Sequence, residues 1–238
     1  MSAKHFFPGH KVVLGSRSPR RAELLGACLA PQQLCILPPT SPDEPGFDGL
    51  GHDQDIRSRL LEIVRLKHHS VCQLVAQQPW ANTPAPRPPL IVAADTTVVA
   101  GPCSGQRYVL GQPRPEAWQE DVRNWFTHRL SGRTHQVWTA VRVSCGHAVR
   151  EQIVSSAVTF CSVSDELLEW YLSTGESIGK AGGYAIQGLA AAFVTRVDGS
   201  LTTVIGLPTL ETLQLLSEVS HEALSAEQPP QGQPGASA

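Results

Sequence analysis

Val12-Val13-Leu14-Gly15-Ser16-Arg17-Ser18-Pro19-Arg20-Arg21 carries the chain from an apolar run into a helix start within ten residues. The apolar part reads as a buried strand. Ser18 is suited to cap a helix and Pro19 to open it, so a helix is expected from Pro19 to about Leu29. A strand feeding a helix N-terminus is how α/β proteins present backbone N–H groups to an anion. Arg20 and Arg21, with the Ser16 and Ser18 hydroxyls, would complete a phosphate cradle. Arginines in a first helical turn are locally unfavourable, which suggests a ligand that offsets them.

Working outward, Leu34 to Leu37 reads as a second strand and Pro38 to Gly51 as loop. Asp55 to Gln77 has helical apolar spacing. Five prolines between Pro79 and Pro89 mark an extended loop, an insertion at 78–89 rather than a domain boundary. Leu90 to Ala100 is a strand interrupted by Asp95-Thr96-Thr97. Glu116 to Leu130 is an amphipathic helix, and Gln136 to Cys161 alternates as a long hairpin turning at Gly146. Ser164 to Thr174 is a capped helix stopped by Gly175. Ala191 to Val197 is a strand and Thr209 to Leu224 a closing helix. This order predicts an α/β fold with a mixed sheet, one domain over 1–226, and a disordered tail over 227–238.

A chain of 238 residues buries a sizeable core, and a formal charge of −2 argues against a nucleic-acid polymer as partner. It leaves room for a nucleotide, which needs only a few local cations. No stretch reaches the length of a membrane span, and Met1 to Pro8 lacks a signal peptide's apolar run, so a cytoplasmic protein is expected. Six cysteines without C-x-x-C or zinc spacing read as reduced core thiols.

Four further segments carry candidate chemistry. Asp95-Thr96 places a carboxylate inside an apolar strand, where it is costly unless it binds a metal or serves as a general base. Asp43-Glu44 follows a strand and could supply a second oxygen ligand to a hard cation. Lys67 falls on the apolar stripe of its helix; a lysine there either snorkels to the rim or enters a phosphate site. Lys180-Ala181-Gly182-Gly183-Tyr184-Ala185-Ile186-Gln187-Gly188 suggests backbone approaching a ligand closely, and the Gln187 amide can match the imide edge of uracil or thymine.

Taken in order, these segments resemble the Maf family of nucleotide pyrophosphatases from Lys11 to about Leu216. The pieces are Leu14-Gly-Ser-Arg-Ser-Pro-Arg-Arg-Ala-Glu-Leu-Leu25, Asp43-Glu44, Ala94-Asp-Thr96, Leu130-Ser-Gly-Arg-Thr-His135, Lys180 to Gly188 and Gly206-Leu-Pro208. The resemblance implies a two-lobed, ITPase-like α/β fold with a twisted mixed sheet and the active site in its cleft. It implies hydrolysis of nucleoside triphosphates between the α and β phosphates with Mg²⁺ or Mn²⁺, often by a homodimer. Carried over, Ser16, Arg20 and Arg21 grip phosphates, and Glu44 and Asp95 handle metal and water, with Asp95 as base. Thr96, Lys67 and Lys180 complete the site, and Gln187 falls where the dTTP/UTP branch has its glutamine. His135 is read as structural. One departure stands out: Gln112 occupies a place where the family usually has lysine. The rival readings are a pyrophosphatase directed to 7-methyl-GTP or purines, and a nucleotide-binding regulator with weakened turnover.

Overall fold

The computed structural model describes residues 6–40, 44–82, 87–102 and 105–226. Its centre is a seven-stranded mixed sheet, flanked by helices on both faces. The strands are β1 (Val12–Gly15), β2 (Leu34–Ile36), β3 (Leu90–Ala100), β4 (Tyr108–Leu110), β5 (Thr134–Cys145), β6 (Ala148–Phe160) and β7 (Val194–Asp198). The sheet runs in the order β2-β1-β3-β5-β6-β7, with β4 added to β3. β2, β1 and β3 are parallel; β4, β5, β6 and β7 pair antiparallel to their neighbours. The parallel part follows from the crossover helices, the antiparallel part from the β5–β6 hairpin at Gly146.

The helices are α1 (Pro19–Gly26), α2 (Asp53–Ala76), α3 (Trp118–Trp125), α4 (Asp165–Ser173), α5 (Leu201–Ile205) and α6 (Thr209–Ala226). α1 ends at Gly26 rather than near Leu29, because two further turns of backbone, Cys28 to Leu25 and Leu29 to Gly26, tighten into the connection to β2. The last turn of the α3 segment, Phe126–Leu130, is π-helical and buries Phe126 and Leu130. α4 follows its expectation closely. Ser164 Oγ accepts from the Leu167 N–H, acids fill its first turn, and Gly175 takes a left-handed φ of 68° just beyond its end.

β3 is continuous, contrary to the interruption expected at Asp95-Thr96-Thr97; Asp95, Thr96 and Thr97 pair in register with Ala140, Thr139 and Trp138. Residues 191–193 belong to a 3₁₀ turn (Leu189–Phe193), so β7 begins only at Val194. β4 and α5 are short elements without the apolar periodicity that reveals longer ones. Of the proline-rich loop, Pro79–Asn82 forms one 3₁₀ turn; 83–86 lie outside the described residues, as do Asp43 and the tail over 227–238.

The core explains the cleft. On one face of the sheet, Leu90, Val92 and Ala94 of β3 pack with Leu14, Leu25, Val141, Val143 and, from α6, Leu216 and Val219. Further along the same face, Val98 and Ala100 join a second cluster with Leu110, Phe126, Phe160, Tyr171 and Phe193. Thr96 stands between the two. On the opposite face, Ala93, Val99, Trp138 and Ala140 meet Ile56, Leu60 and Val64 of α2. The two clusters are the two lobes, and the middle of β3 is shared between them. No helix among the described residues is long and apolar enough to cross a membrane. The five described cysteines are free thiols; Cys145 is buried, Cys35, Cys72 and Cys161 are partly buried against the core clusters, and Cys28 is partly buried.

Candidate active site

A gap in the sheet makes the site. β1 stops at Gly15, opposite Ala93, while β4 joins the same edge of β3 only from Val98. Between them the edge of β3 from Ala94 to Thr97 has no strand beside it among the described residues. The cleft that opens there holds about 600 Å³ and is lined by Ser16, Ser18, Arg20, Arg21, Glu44, Lys67, Asp95, Thr96, Lys180 and Gln187, all singled out from sequence. Gln112 lines it too.

Strand alternation sends two consecutive residues to opposite faces at this gap. Asp95 points toward α2 and meets Lys67, whose Nζ lies 2.5 Å from Asp95 Oδ1 and 2.9 Å from Glu44 Oε2. Lys67 therefore leaves its apolar stripe for the cleft instead of snorkelling outward, and its side chain is only 14% exposed. One ammonium between two carboxylates makes their close approach tolerable. Asp95 Oδ2 and Glu44 Oε1 have no hydrogen-bond partner among the described residues.

Thr96 points the other way, and Arg21 reaches it across α1. The guanidinium donates from Nη2 to Thr96 Oγ1 (3.0 Å), from Nη1 to the Ala94 carbonyl (2.8 Å) and Ser16 Oγ (3.3 Å), and from Nε to the Gly206 carbonyl (2.7 Å). Every nitrogen of the fork is thus spent on protein acceptors. Beside the phosphate-gripping role expected of Arg21, the fork therefore has a structural one. It ties α1 to the open edge of β3 and to the turn after α5, and the unfavourable first-turn charge is offset by carbonyls of the protein. Gly206 serves this arrangement with a left-handed φ of 123°, which turns its carbonyl toward Arg21. Burial, more than the neighbouring Arg20, pulls the Arg21 pKa down, while Asp95 and Glu44 oppose the shift.

Ser16 is buried, and its Oγ accepts from the Ser18 N–H (3.1 Å) as well as from Arg21. Its own hydroxyl hydrogen remains for a ligand. Ser18 is in cap position but makes no side-chain cap bond, so the helix start stays open toward the cleft. Arg20 is half-buried and has no hydrogen bond or ion pair among the described residues. Lys180 donates to the carbonyls of Glu176 and, at 3.5 Å, Ile178. Burial first, and Arg20 second, pull its pKa below the ordinary lysine value. With Arg17, five cations and two carboxylates line the cleft, in a chain whose formal charge is −2. Partly desolvated cations are stabilised by an anion, and a phosphate chain is an anion that can meet several of them at once.

The glycines of Lys180 to Gly188 turn out to serve the core. Gly182 and Gly183 have φ of 67° and 68°, and a Cβ would lie 2.8 Å from Val98 Cγ2 or 2.7 Å from Val122 Cγ2. They press the loop onto the second lobe rather than onto a ligand. Gln187, in contrast, is exposed to the cleft and its amide makes no hydrogen bond among the described residues. His135 is 1% exposed, its Nε2 is 2.8 Å from Tyr184 Oη, and the rings of Phe160 and Tyr184 meet it edge-on. Burial lowers its pKa to about 3, so the structural reading fits.

No cluster of three or more His, Cys, Asp or Glu capable of caging a metal exists among the described residues. Mg²⁺ does not require one. It binds through one or two carboxylates, keeps several waters and takes phosphate oxygens from its substrate. Glu44 and Asp95 fit that donor set. Sequence reading missed Gly206 as Arg21's acceptor and Glu176 as Lys180's. The signal for a carbonyl acceptor is conformational, and residue type does not carry it.

A family model described as Maf-like protein matches residues 11–219. Over 220 residues the chain is 40% identical to a Granulibacter bethesdensis protein named dTTP/UTP pyrophosphatase, covering 90% of this chain and 95% of that one. Proteins of the same name from Pseudoalteromonas atlantica and Cereibacter sphaeroides are 37% and 40% identical, covering 88% and 87% of this chain and 97% and 93% of theirs. With the strand, turn and cleft residues in this order, the chain belongs to the Maf-like protein family.

Proposed function

We propose that this protein hydrolyses nucleoside triphosphates, dTTP and UTP first among them, to the monophosphate and pyrophosphate in the presence of Mg²⁺ or Mn²⁺. The observation that carries the proposal is the cleft itself, which Arg17, Arg20, Arg21 and Lys180 line together with a carboxylate pair held by Lys67. The names of the relatives agree with it. One water is consumed across the α,β-phosphoanhydride, which needs charge neutralisation and positioning more than covalent chemistry.

In this reading Arg20, Lys180 and the open start of α1 bind the triphosphate, with the Ser16 hydroxyl donating to it. Lys67 orients Asp95, whose Oδ2 accepts the proton of the attacking water. Arg21 and Thr96 hold the wall against which the phosphates lie. Glu44 and Asp95 would bind the metal, which when present neutralises phosphate oxygens. Gln187 reads the imide edge of the base. We place the activity in the cytoplasm, as a homodimer.

The test is a panel of triphosphates with Gln187→Ala beside the wild type. The wild type should prefer UTP and dTTP over CTP and purine triphosphates, and the variant should lose most of that preference while keeping turnover. Preference for 7-methyl-GTP or for purines would sink the pyrimidine reading.

A further inference from the structure

Glu176, on the turn after α4, lies outside the cleft lining, yet its carboxylate bonds the segment just after Gln187. Its carboxylate accepts from the Leu189 N–H (2.7 Å, Oε2) and from the Ala190 N–H (3.1 Å, Oε1). Tyr171 Oη also donates to Oε1 at 3.2 Å, and the same hydroxyl reaches the Gly183 carbonyl at 3.0 Å. Those two amides open the 3₁₀ turn that follows Gln187-Gly188 and have no earlier carbonyl of their own turn to bond. At Gly188 a Cβ would occupy the place of the Glu176 carboxylate, so the glycine is what admits it. Meanwhile the Glu176 main-chain carbonyl accepts from Lys180 Nζ.

One residue therefore holds both ends of the loop by separate groups. Its backbone fixes the cation assigned to phosphate, and its side chain fixes the segment that carries the free Gln187 amide. A glutamine amide discriminates bases only if its main chain is held in place, since the amide itself can rotate to present donor or acceptor. Upstream, the loop is anchored by Gly182 N–H to the Gly111 carbonyl (3.0 Å); downstream of Gln187, the Glu176 carboxylate is the side-chain anchor.

We infer that Glu176 is the positioning residue that sets base specificity: its carboxylate clamps the loop bearing Gln187, while its carbonyl separately holds Lys180. This rests on the reading of Gln187 given above. It follows that removing the carboxylate alone disturbs base choice and leaves phosphate chemistry largely in place.

The experiment compares wild type, Glu176→Gln and Glu176→Ala in kcat and KM for UTP and CTP, together with amide hydrogen exchange over residues 188–190. The expected result is a graded loss. The UTP-over-CTP ratio of kcat/KM falls about tenfold in Glu176→Ala through a raised KM for UTP, with kcat changed by less than about threefold. Glu176→Gln, which keeps one acceptor oxygen, falls in between, and exchange at Leu189 and Ala190 quickens in the same order. If Glu176→Ala does not fold, Glu176→Gln decides alone, through faster exchange at one of the two amides and a reduced ratio. An unchanged ratio, unchanged exchange, or an equal fall in kcat for both substrates would overturn the inference. A wild type with no preference for UTP would instead remove the reading of Gln187 on which it rests.

Discussion

Lys67 shows how much one side chain decides in this cleft. It neutralises two carboxylates at once, at 2.5 and 2.9 Å, and it reaches them from a helix face otherwise devoted to the core. The apolar stripe of α2 made its helix legible, but that periodicity is silent on whether a long side chain bends to the rim or to a ligand. Replacing it with methionine keeps the packing stem and removes the charge. Turnover should then drop by about 10²-fold or more, read as kcat at saturating UTP. Gln112 is the converse case. Its neutral amide lines a wall of cations, so Gln112→Lys should raise kcat/KM by about tenfold, measured under the same conditions. No gain would mean that the triphosphate does not run along that wall. The described residues picked from sequence as phosphate, metal or base ligands all line the cleft, because their types are those that anions and metals require. The carbonyls that Arg21 bonds were not legible, since residue type alone does not reveal whether a guanidinium faces solvent or backbone carbonyls.

At the scale of elements, the site is the consequence of one strand outlasting its neighbour. β1 ends at Gly15 and β4 starts opposite Val98, and the exposed edge of β3 is bridged by the Arg21 fork. Arg21→Lys keeps the charge but replaces a planar, multidentate donor with a point charge. Loss of two or three of its bonds should cost about 2 kcal/mol of stability. Thermal unfolding should register this as a fall of roughly 4–8 °C for a chain of this size. An unchanged melting temperature would show that α1 is held by packing alone. Long periodic elements were readable in advance: β1, α2, the β5–β6 hairpin, α4 and α6 lie within a few residues of expectation. The misses have two causes. β4 pairs over three residues and α5 has five, too short for periodicity. The continuity of β3 through Asp95-Thr96-Thr97 is enforced by ladder pairing with β5, a tertiary effect that outweighs local polarity.

For the whole molecule, the buried imidazoles of His68 and His135 bear on stability. His68 meets Ser144 Oγ at 2.9 Å, and burial, assisted by Arg142 and His69, lowers its pKa from 6.5 to about 4. His135 is lowered to about 3 by burial. The sign is set by proton binding. Between those values and 6.5 the unfolded chain takes up protons that the folded chain refuses, so stability rises with pH there. Their contribution is complete above pH 6.5 and is lost as the pH falls through about 4 for His68 and about 3 for His135. A His135→Phe, Tyr184→Phe double variant removes the imidazole without stranding the Tyr184 hydroxyl. Its melting temperature should fall less steeply than that of the wild type across that acid range; equal slopes would mean that His135 is already charged in the fold. The same buried aromatic cluster forms the second lobe, so the acid limb of activity should be checked against unfolding before it is assigned to the site.

In the proposed mechanism a carboxylate in the open middle of β3 drives triphosphate hydrolysis. The direct measurement is pyrophosphate release from UTP and dTTP with Mg²⁺ or Mn²⁺, by the wild type and by Asp95→Asn. The variant is isosteric and keeps a carbonyl oxygen for Lys67. The account predicts metal-dependent release of pyrophosphate and monophosphate by the wild type, reduced by about 10²- to 10⁴-fold in the variant. Equal release by both proteins would contradict it, as would a wild type that binds the nucleotides and turns none of them over.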